Sequence, residues 1–315
     1  MWKEIKRKEM GSSSRYINPY TDFGFKKLFG SEPNKDLLIA FLNALLHGKE
    51  EIKTISYLNT EHFGTSESDR KAVFDVYCTN EKGEIVLVEM QRGEQQFFKD
   101  RSIYYSSFSI QEQGRKGIAW QYQLKAVYVI SILNFTFKEP IIEDYLTEVK
   151  LLDIKSKEIF YDKLTFIYIE MPKFNKSEEE IETLLDKWLF ILRNLSSLFD
   201  RPIALQGRIF SRLFEEAEIA KYAPIERAAY EDSLKVYRDW ESTVATAVNK
   251  AVVIAEAKGV EQGRKEGLEE GRKEGLEEGK QEEKKRIALS LKQNQTPIEI
   301  IAKCSGLTIE EIELL

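Results

Sequence analysis

The sequence predicts an α/β fold that gives way to helices in its C-terminal half, on three observations. Residues 73–91, VFDVYCTNEKGEIVLVEMQ, alternate in polarity on both sides of a turn. Residues 124–133, LKAVYVISIL, are almost continuously apolar and rich in β-branched side chains. From Ser177 onward the apolar spacing changes to that of a helix. The first stretch reads as a β-hairpin, the second as a strand buried on both faces, and the third as helical packing.

Taken in order, residues 1–16 are basic and then Gly-Ser rich, which suits a mobile arm whose Lys3, Lys6, Arg7 and Lys8 are solvated or touch phosphates. A short helix begins at Thr21 as N-cap and ends at Gly30, burying Phe25, Leu28 and Phe29. Asp22 falls in its first turn, where it either stabilises the helix dipole or adds an acid to a site. A second helix over 36–47 carries Leu37, Leu38, Phe41, Leu42 and Leu45 on one broad apolar face, with Gly48 as its C-cap. A strand near 52–59 and a polar loop over 61–70 follow.

In the hairpin, Asn80-Glu81-Lys82-Gly83 suits a type I turn closed by a left-handed glycine, and this turn sets the register. If Asn80 faces Glu84, counting back along the arms brings Asp75 opposite Glu89, with Cβ atoms roughly 5 Å apart. Like charges so placed repel, so the pair persists when one acid is protonated or a cation lies between them. Gln91 and Lys71 share the face of these acids, because side chains two and four residues apart on a strand point the same way.

Beyond the hairpin, a helix over 94–113 places Phe97, Arg101, Tyr104 and Phe108 at 3–4 spacing and stops at Gly114. Strands are expected at 147–154 and 163–170. Ser177 and Glu180 form a capping-box pattern ahead of a stripe of Ile181, Leu184, Leu185, Trp188, Leu192 and Leu195, and helices continue through 209–213 and 230–240.

The tail differs in kind. Gly259, Gly263, Gly267, Gly271, Gly275 and Gly279 recur every fourth residue, and RKEGLEEG occurs twice in succession. Each glycine costs a helix about 1 kcal/mol against alanine, whereas i,i+4 charge pairs return only ~0.2–0.5 kcal/mol apiece. The stretch is either a helix whose glycine ridge meets another helix, in a second protomer for instance, or a flexible charged linker. The last residues give short helices, one beginning at Thr296-Pro297 and ending at Gly306, the next capped by Thr308. Their acidic final segment, TIEEIELL, suits packing or dimerisation better than phosphate contact.

A chain of 315 residues suits about two domains. A net charge of −6 and a pI near 5.4 argue against coating nucleic acid by bulk charge, while leaving room for a local basic groove. The two cysteines, Cys78 and Cys304, make no metal or redox motif and suit a reducing cytoplasm; no apolar run is long enough to span a membrane. Two facing carboxylates and an amide suit a hard cation such as Mg²⁺, with Asp75 and Glu89 as ligands. Zinc is disfavoured, because His47 and His62 are the only histidines and lack ligand spacing.

FDVYCTNEKGEIVLVEMQ, preceded by TDFGFKKLFG and followed by RSIYYSS and LKAVYVISIL, resembles the PD-(D/E)XK nuclease family transposases, relatives of the Rpn recombination-promoting nucleases of bacteria. The resemblance covers about residues 17–240. It implies a restriction-endonuclease-like αβββαβ core with a mixed sheet, in which Asp75 is the motif's Asp, Glu89 its (D/E), and Gln91 stands where the family's usual Lys is found. It further implies a Mg²⁺-dependent (Mn²⁺ possible) DNA endonuclease linked to transposition or recombination. Arg101 and Tyr104 are candidates for phosphate contact, Asp22 and Lys71 possible accessories; Arg101 alternatively pairs with an acid, and Tyr104 alternatively belongs to the core.

The expected organisation is a mobile arm (1–16), a nuclease-like core (17–175), a helical region (176–258), a Gly-repeat helix or linker (259–286) and a small helical module (287–315), with self-association through 259–315. The alternative reading is a catalytically weakened DNA-binding or self-associating protein of the same fold.

Overall fold

The structure, a computed structural model, describes residues 14–48, 51–59, 61–62, 72–114, 121–139 and 142–315. Helix α1 (Asp22–Phe29) opens on Thr21, whose hydroxyl oxygen accepts from the Gly24 N–H and donates to the Asn18 carbonyl. A side chain at Gly24 would be impossible without movement, because its Cβ would lie 2.2 Å from the Asn18 carbonyl oxygen. Helix α2 (Lys35–Leu45) buries the predicted leucines and Phe41, and Gly48, past its end, adopts φ +87°.

The chain then forms β1 (Ile55–Tyr57), a small ribbon of β2 (Glu61–His62) with β3 (Ala72–Val73), β4 (Val76–Asn80) and β5 (Ile85–Gln91). The ribbon lies partly where a polar loop is expected; residues 63–71 are outside the described residues. Helix α3 (Phe98–Glu112), β6 (Val127–Leu133), β7 (Leu146–Leu152) and β8 (Ile159–Glu170) complete a six-stranded mixed sheet in the order β1-β4-β5-β6-β8-β7. β1, β4 and β5 run antiparallel, β5, β6 and β8 parallel, and β7 closes the far edge antiparallel to β8. The succession α2, β1, β4, β5, α3, β6 is the αβββαβ order, and β6 is buried almost throughout.

Alternation on the strands feeds two cores. Val76, Cys78, Val86, Val88, Met90, Ile130 and Ile132 pack with α1, α2, α4 (Leu184–Asn194) and α5 (Arg208–Ala217). On the opposite face Tyr77, Ile85, Leu87, Val129 and Tyr168 pack with Phe98, Tyr105 and Phe108 of α3.

Several boundaries differ from expectation for local reasons. α3 starts at Phe98 because Phe97 takes a left-handed backbone, φ +65°. The Ser177–Glu180 box forms, yet it caps a single 3₁₀ turn. The long helix begins at Leu184 behind a second box, Thr183 with Asp186, so Ile181 lies outside it.

The chain divides into two compact units, one ending at Asp239 and the other comprising Trp240–Leu315. Pro224–Gln293 is one continuous helix, α6, through all six repeat glycines. Within the second unit Ala288, Ile301, Leu307 and Ile312 form a small core from α6, α7 (Ile298–Ser305) and α8 (Ile309–Glu313). Gly306 is left-handed there at φ +68°, and Thr308 caps α8 in a box with Glu311.

Candidate active site

The hairpin turn sets the site. The Asn80 N–H donates to the Glu84 carbonyl (3.0 Å), the Gly83 N–H donates to the Asn80 carbonyl (2.9 Å), and Gly83 sits at φ +74°. The Asn80 side-chain oxygen also accepts from the N–H groups of Lys82 and Glu84, which locks the loop. Val76 therefore pairs with Val88, Tyr77 with Leu87, Cys78 with Val86 and Thr79 with Ile85. Asp75 lies in the bend one residue before that register begins, near enough to Glu89 for the two charges to act on each other.

Both acids are short of water. Asp75 accepts the Met90 N–H through Oδ2 at 2.7 Å, and its other oxygen takes no hydrogen bond from any described residue. The Glu89 side chain is only 13% exposed, and its Oε1 accepts from Nη2 of Arg101. Burial raises the pKa of Asp75, against the Met90 N–H and the charges of Lys26 and Arg92, while Asp22 adds to the rise. Burial likewise pushes Glu89 up to about 7; Arg101 opposes the shift and Asp75 adds to it. Each of the two neighbouring carboxylates thus holds a proton more tightly than a solvated one, chiefly because of its burial.

Asp22 and Lys26 pair on α1 (2.9 Å) and act electrostatically on Asp75, so Asp22 belongs to the field around the acids. Among the described residues no cluster of three or more His, Cys, Asp or Glu is arranged to hold a metal. Two oxygen donors remain, Asp75 and Glu89, and they fit a cation that keeps most of its water, as Mg²⁺ does. Lys71 lies outside the described residues.

Arg101 reaches the site from α3, as its place four residues into a helix that crosses the sheet allows. Nη1 donates to Gln95 and, at 3.4 Å, to Gln91, and the guanidinium lies 4.8 Å from the Tyr105 ring centre. Gln91 donates its own amide to the Gly93 carbonyl (3.0 Å), so its oxygen faces Arg101. Tyr104, whose alternative reading was core packing, is instead 45% exposed and meets the rings of Tyr105 and Phe108. The buried residues of α3 are Phe98, Ser102, Ser106 and Ser109, and Tyr105 and Phe108 pack beside them against the sheet; of the predicted row, Phe108 joins that core while Phe97 and Tyr104 are exposed.

Sequence reasoning missed Lys26, Arg92 and Gln95. The i,i+4 spacing of Asp22 and Lys26 was a visible signal for the first. Arg92, which lies over the Tyr237 ring (5.7 Å), and Gln95 are placed by a loop that carries no periodicity.

No curated protein and no solved structure matches the chain. The family model of the PD-(D/E)XK nuclease family transposases matches residues 19–247, a span that contains the whole sheet and both acids. With the αβββαβ order and the neighbouring carboxylates already in place, that match identifies this chain as a member of the PD-(D/E)XK nuclease family transposases.

Proposed function

We propose that the protein is a divalent-metal-dependent DNA endonuclease, linked to transposition or recombination and working in the cytoplasm, where its two free cysteines would stay reduced. The observation that carries the reading is the neighbouring pair Asp75 and Glu89, both partly buried, both with raised pKa, and both with an oxygen uncommitted to any described donor. Mg²⁺, or Mn²⁺, would supply Lewis acidity and lower the pKa of a bound water. Asp75 is oriented for that role by the Met90 N–H and Glu89 by Arg101. Lys26, Arg92 and Arg101 bring positive charge close to the two acids in a protein of net charge −6, which supports a substrate that carries a phosphodiester.

The test is nicking of supercoiled plasmid with Mg²⁺ or Mn²⁺. Asp75→Ala and Glu89→Ala should each lower the rate by about a hundredfold or more, the scale of the several kcal/mol that a metal contributes. Metal-dependent cleavage that survives both substitutions would sink the assignment. An inactive wild type that still binds DNA favours the second reading, a weakened DNA-binding protein, which has in its favour that the Gln91 amide is already committed to Gly93 and Arg101.

The tail is read as a self-association element. In its favour, apart from the helix's own neighbouring backbone no described atom lies within 4 Å of where a Cβ would be at any of the six repeat glycines, so no packing contact within the described chain asks for glycine there. The molar mass of the full chain in solution, measured across a concentration series, checks this; a monomer throughout refutes it.

A further inference from the structure

The position that carries Gln91 raises a question that the hairpin alone does not answer. Gln91 shares a face with Glu89, two residues along the strand, and a cation there would be expected to balance the acids. Instead its amide is turned by two contacts. Nε2 is anchored on the Gly93 carbonyl, and Oε1 is presented to Arg101 Nη1. Gln95 presents a second amide oxygen to the same guanidinium nitrogen, and Tyr105 lies beneath the guanidinium. Arg101 Nη2 meets Glu89. The guanidinium is held in this orientation although its buried Nε has no partner among the described residues, so the contacts at the Nη end outweigh one unsatisfied donor.

We propose that Arg101, delivered from α3 and oriented by Gln91 and Gln95, supplies the fixed positive charge of this active site, and that Gln91 and Gln95 are positioning residues for it. The proposal rests on the reading of Asp75 and Glu89 as the metal-binding acids. It accounts for glutamine at position 91 by exclusion: a lysine there would put its ammonium within hydrogen-bond range of the guanidinium, and two cations at that distance repel strongly in a half-buried site. Arginine suits the remote position because its planar fork can satisfy two amide oxygens and a carboxylate at once, which an ammonium on a flexible stem does less well.

A charge-relocation cycle tests this. Gln91→Lys, Arg101→Gln, the double variant and Gln95→Leu are compared with the full wild-type chain for Mn²⁺ affinity, plasmid nicking and melting temperature. Gln91→Lys alone should weaken Mn²⁺ binding by about tenfold, because it adds a second, uncompensated cation. Arg101→Gln alone should lower nicking by at least about tenfold. The double variant, which moves the charge from position 101 to position 91, should recover both properties to within about threefold of wild type. Gln95→Leu should lower the nicking rate while Mn²⁺ affinity stays at the wild-type value, a split that general loss of structure would not produce.

A double variant no better than the worse single variant overturns the proposal, as does a Gln91→Lys chain that binds Mn²⁺ and nicks as wild type does. A wild type that binds no Mn²⁺ overturns the metal reading instead. The coupling is then read from the same four proteins by heat: a double variant that melts above both singles supports the arrangement, and one that melts at or below the lower single overturns it.

Discussion

Glu89, partly buried near the end of β5, and Asp186, buried in the first turn of α4, are carboxylates that sit on opposite sides of their ordinary pKa range. Burial pushes both upward. At Glu89 only Arg101 opposes it, and the acid rises to about 7. At Asp186 the N–H groups of Thr183 and Glu182, the Thr183 hydroxyl and Lys176 together outweigh burial and hold it at about 2. Asp186 is enclosed. The donors of the two acids differ: Asp186 accepts the N–H groups of Thr183 and Glu182 at the head of its helix as well as Lys176, whereas Glu89 accepts only from Arg101 among the described residues. A satisfied acid is structural, and an unsatisfied one is free to take a ligand.

The largest effect expected from breaking this contrast is at the satisfied acid. Asp186→Ala removes the capping box and leaves Lys176 unpaired, and it should cost about 3 kcal/mol in denaturant unfolding. Because its pKa is depressed, Asp186 contributes stability above about pH 4 that is lost as the pH falls towards 2. The variant's deficit should therefore shrink in acid; a deficit constant down to pH 2 would contradict the donor account.

Glu89 gives the opposite sign. Its raised pKa favours the proton, and a divalent ion must displace that proton, so Mn²⁺ affinity should fall about tenfold for each pH unit below about 7 and level off above it. Calorimetric titration between pH 5.5 and 8.5 checks this, and an affinity flat across that range would show that Glu89 is ionised throughout.

Glycine sharpens the comparison at smaller scale. At Gly24 the clash of a new Cβ with the Asn18 carbonyl should outweigh the helix propensity of alanine, so Gly24→Ala should destabilise by about 2 kcal/mol. At Gly271, where nothing lies within 4 Å, Gly271→Ala should instead raise helix stability by about 1 kcal/mol, seen as higher helical content by circular dichroism on warming.

Much of this protein was determined by the sequence alone, wherever the cause is local. The Asn80–Gly83 turn encodes its own register through one left-handed glycine and one side-chain oxygen, so Asp75 and Glu89 could be brought near each other before any strand was seen. The same holds for Thr21 at the head of α1, for β6 as a doubly buried strand, and for Thr308 and Gly306 near the C-terminus. What only the tertiary structure decided is whatever depends on a second element arriving. The sequence pattern pointed to the Ser177–Glu180 box, yet α4 starts behind a second box, Thr183 with Asp186, from which Trp188, Leu189 and Leu192 run into the core. The surroundings of the two acids were legible only in part: Arg101 pairs with Glu89, the alternative the sequence offered, whereas no spacing rule sets Gln95 against Arg101 or brings Lys26 near Asp75. A strand pair is a two-body arrangement that a turn can dictate, whereas the charge balance of a site is a many-body sum that exists only once the helices have packed.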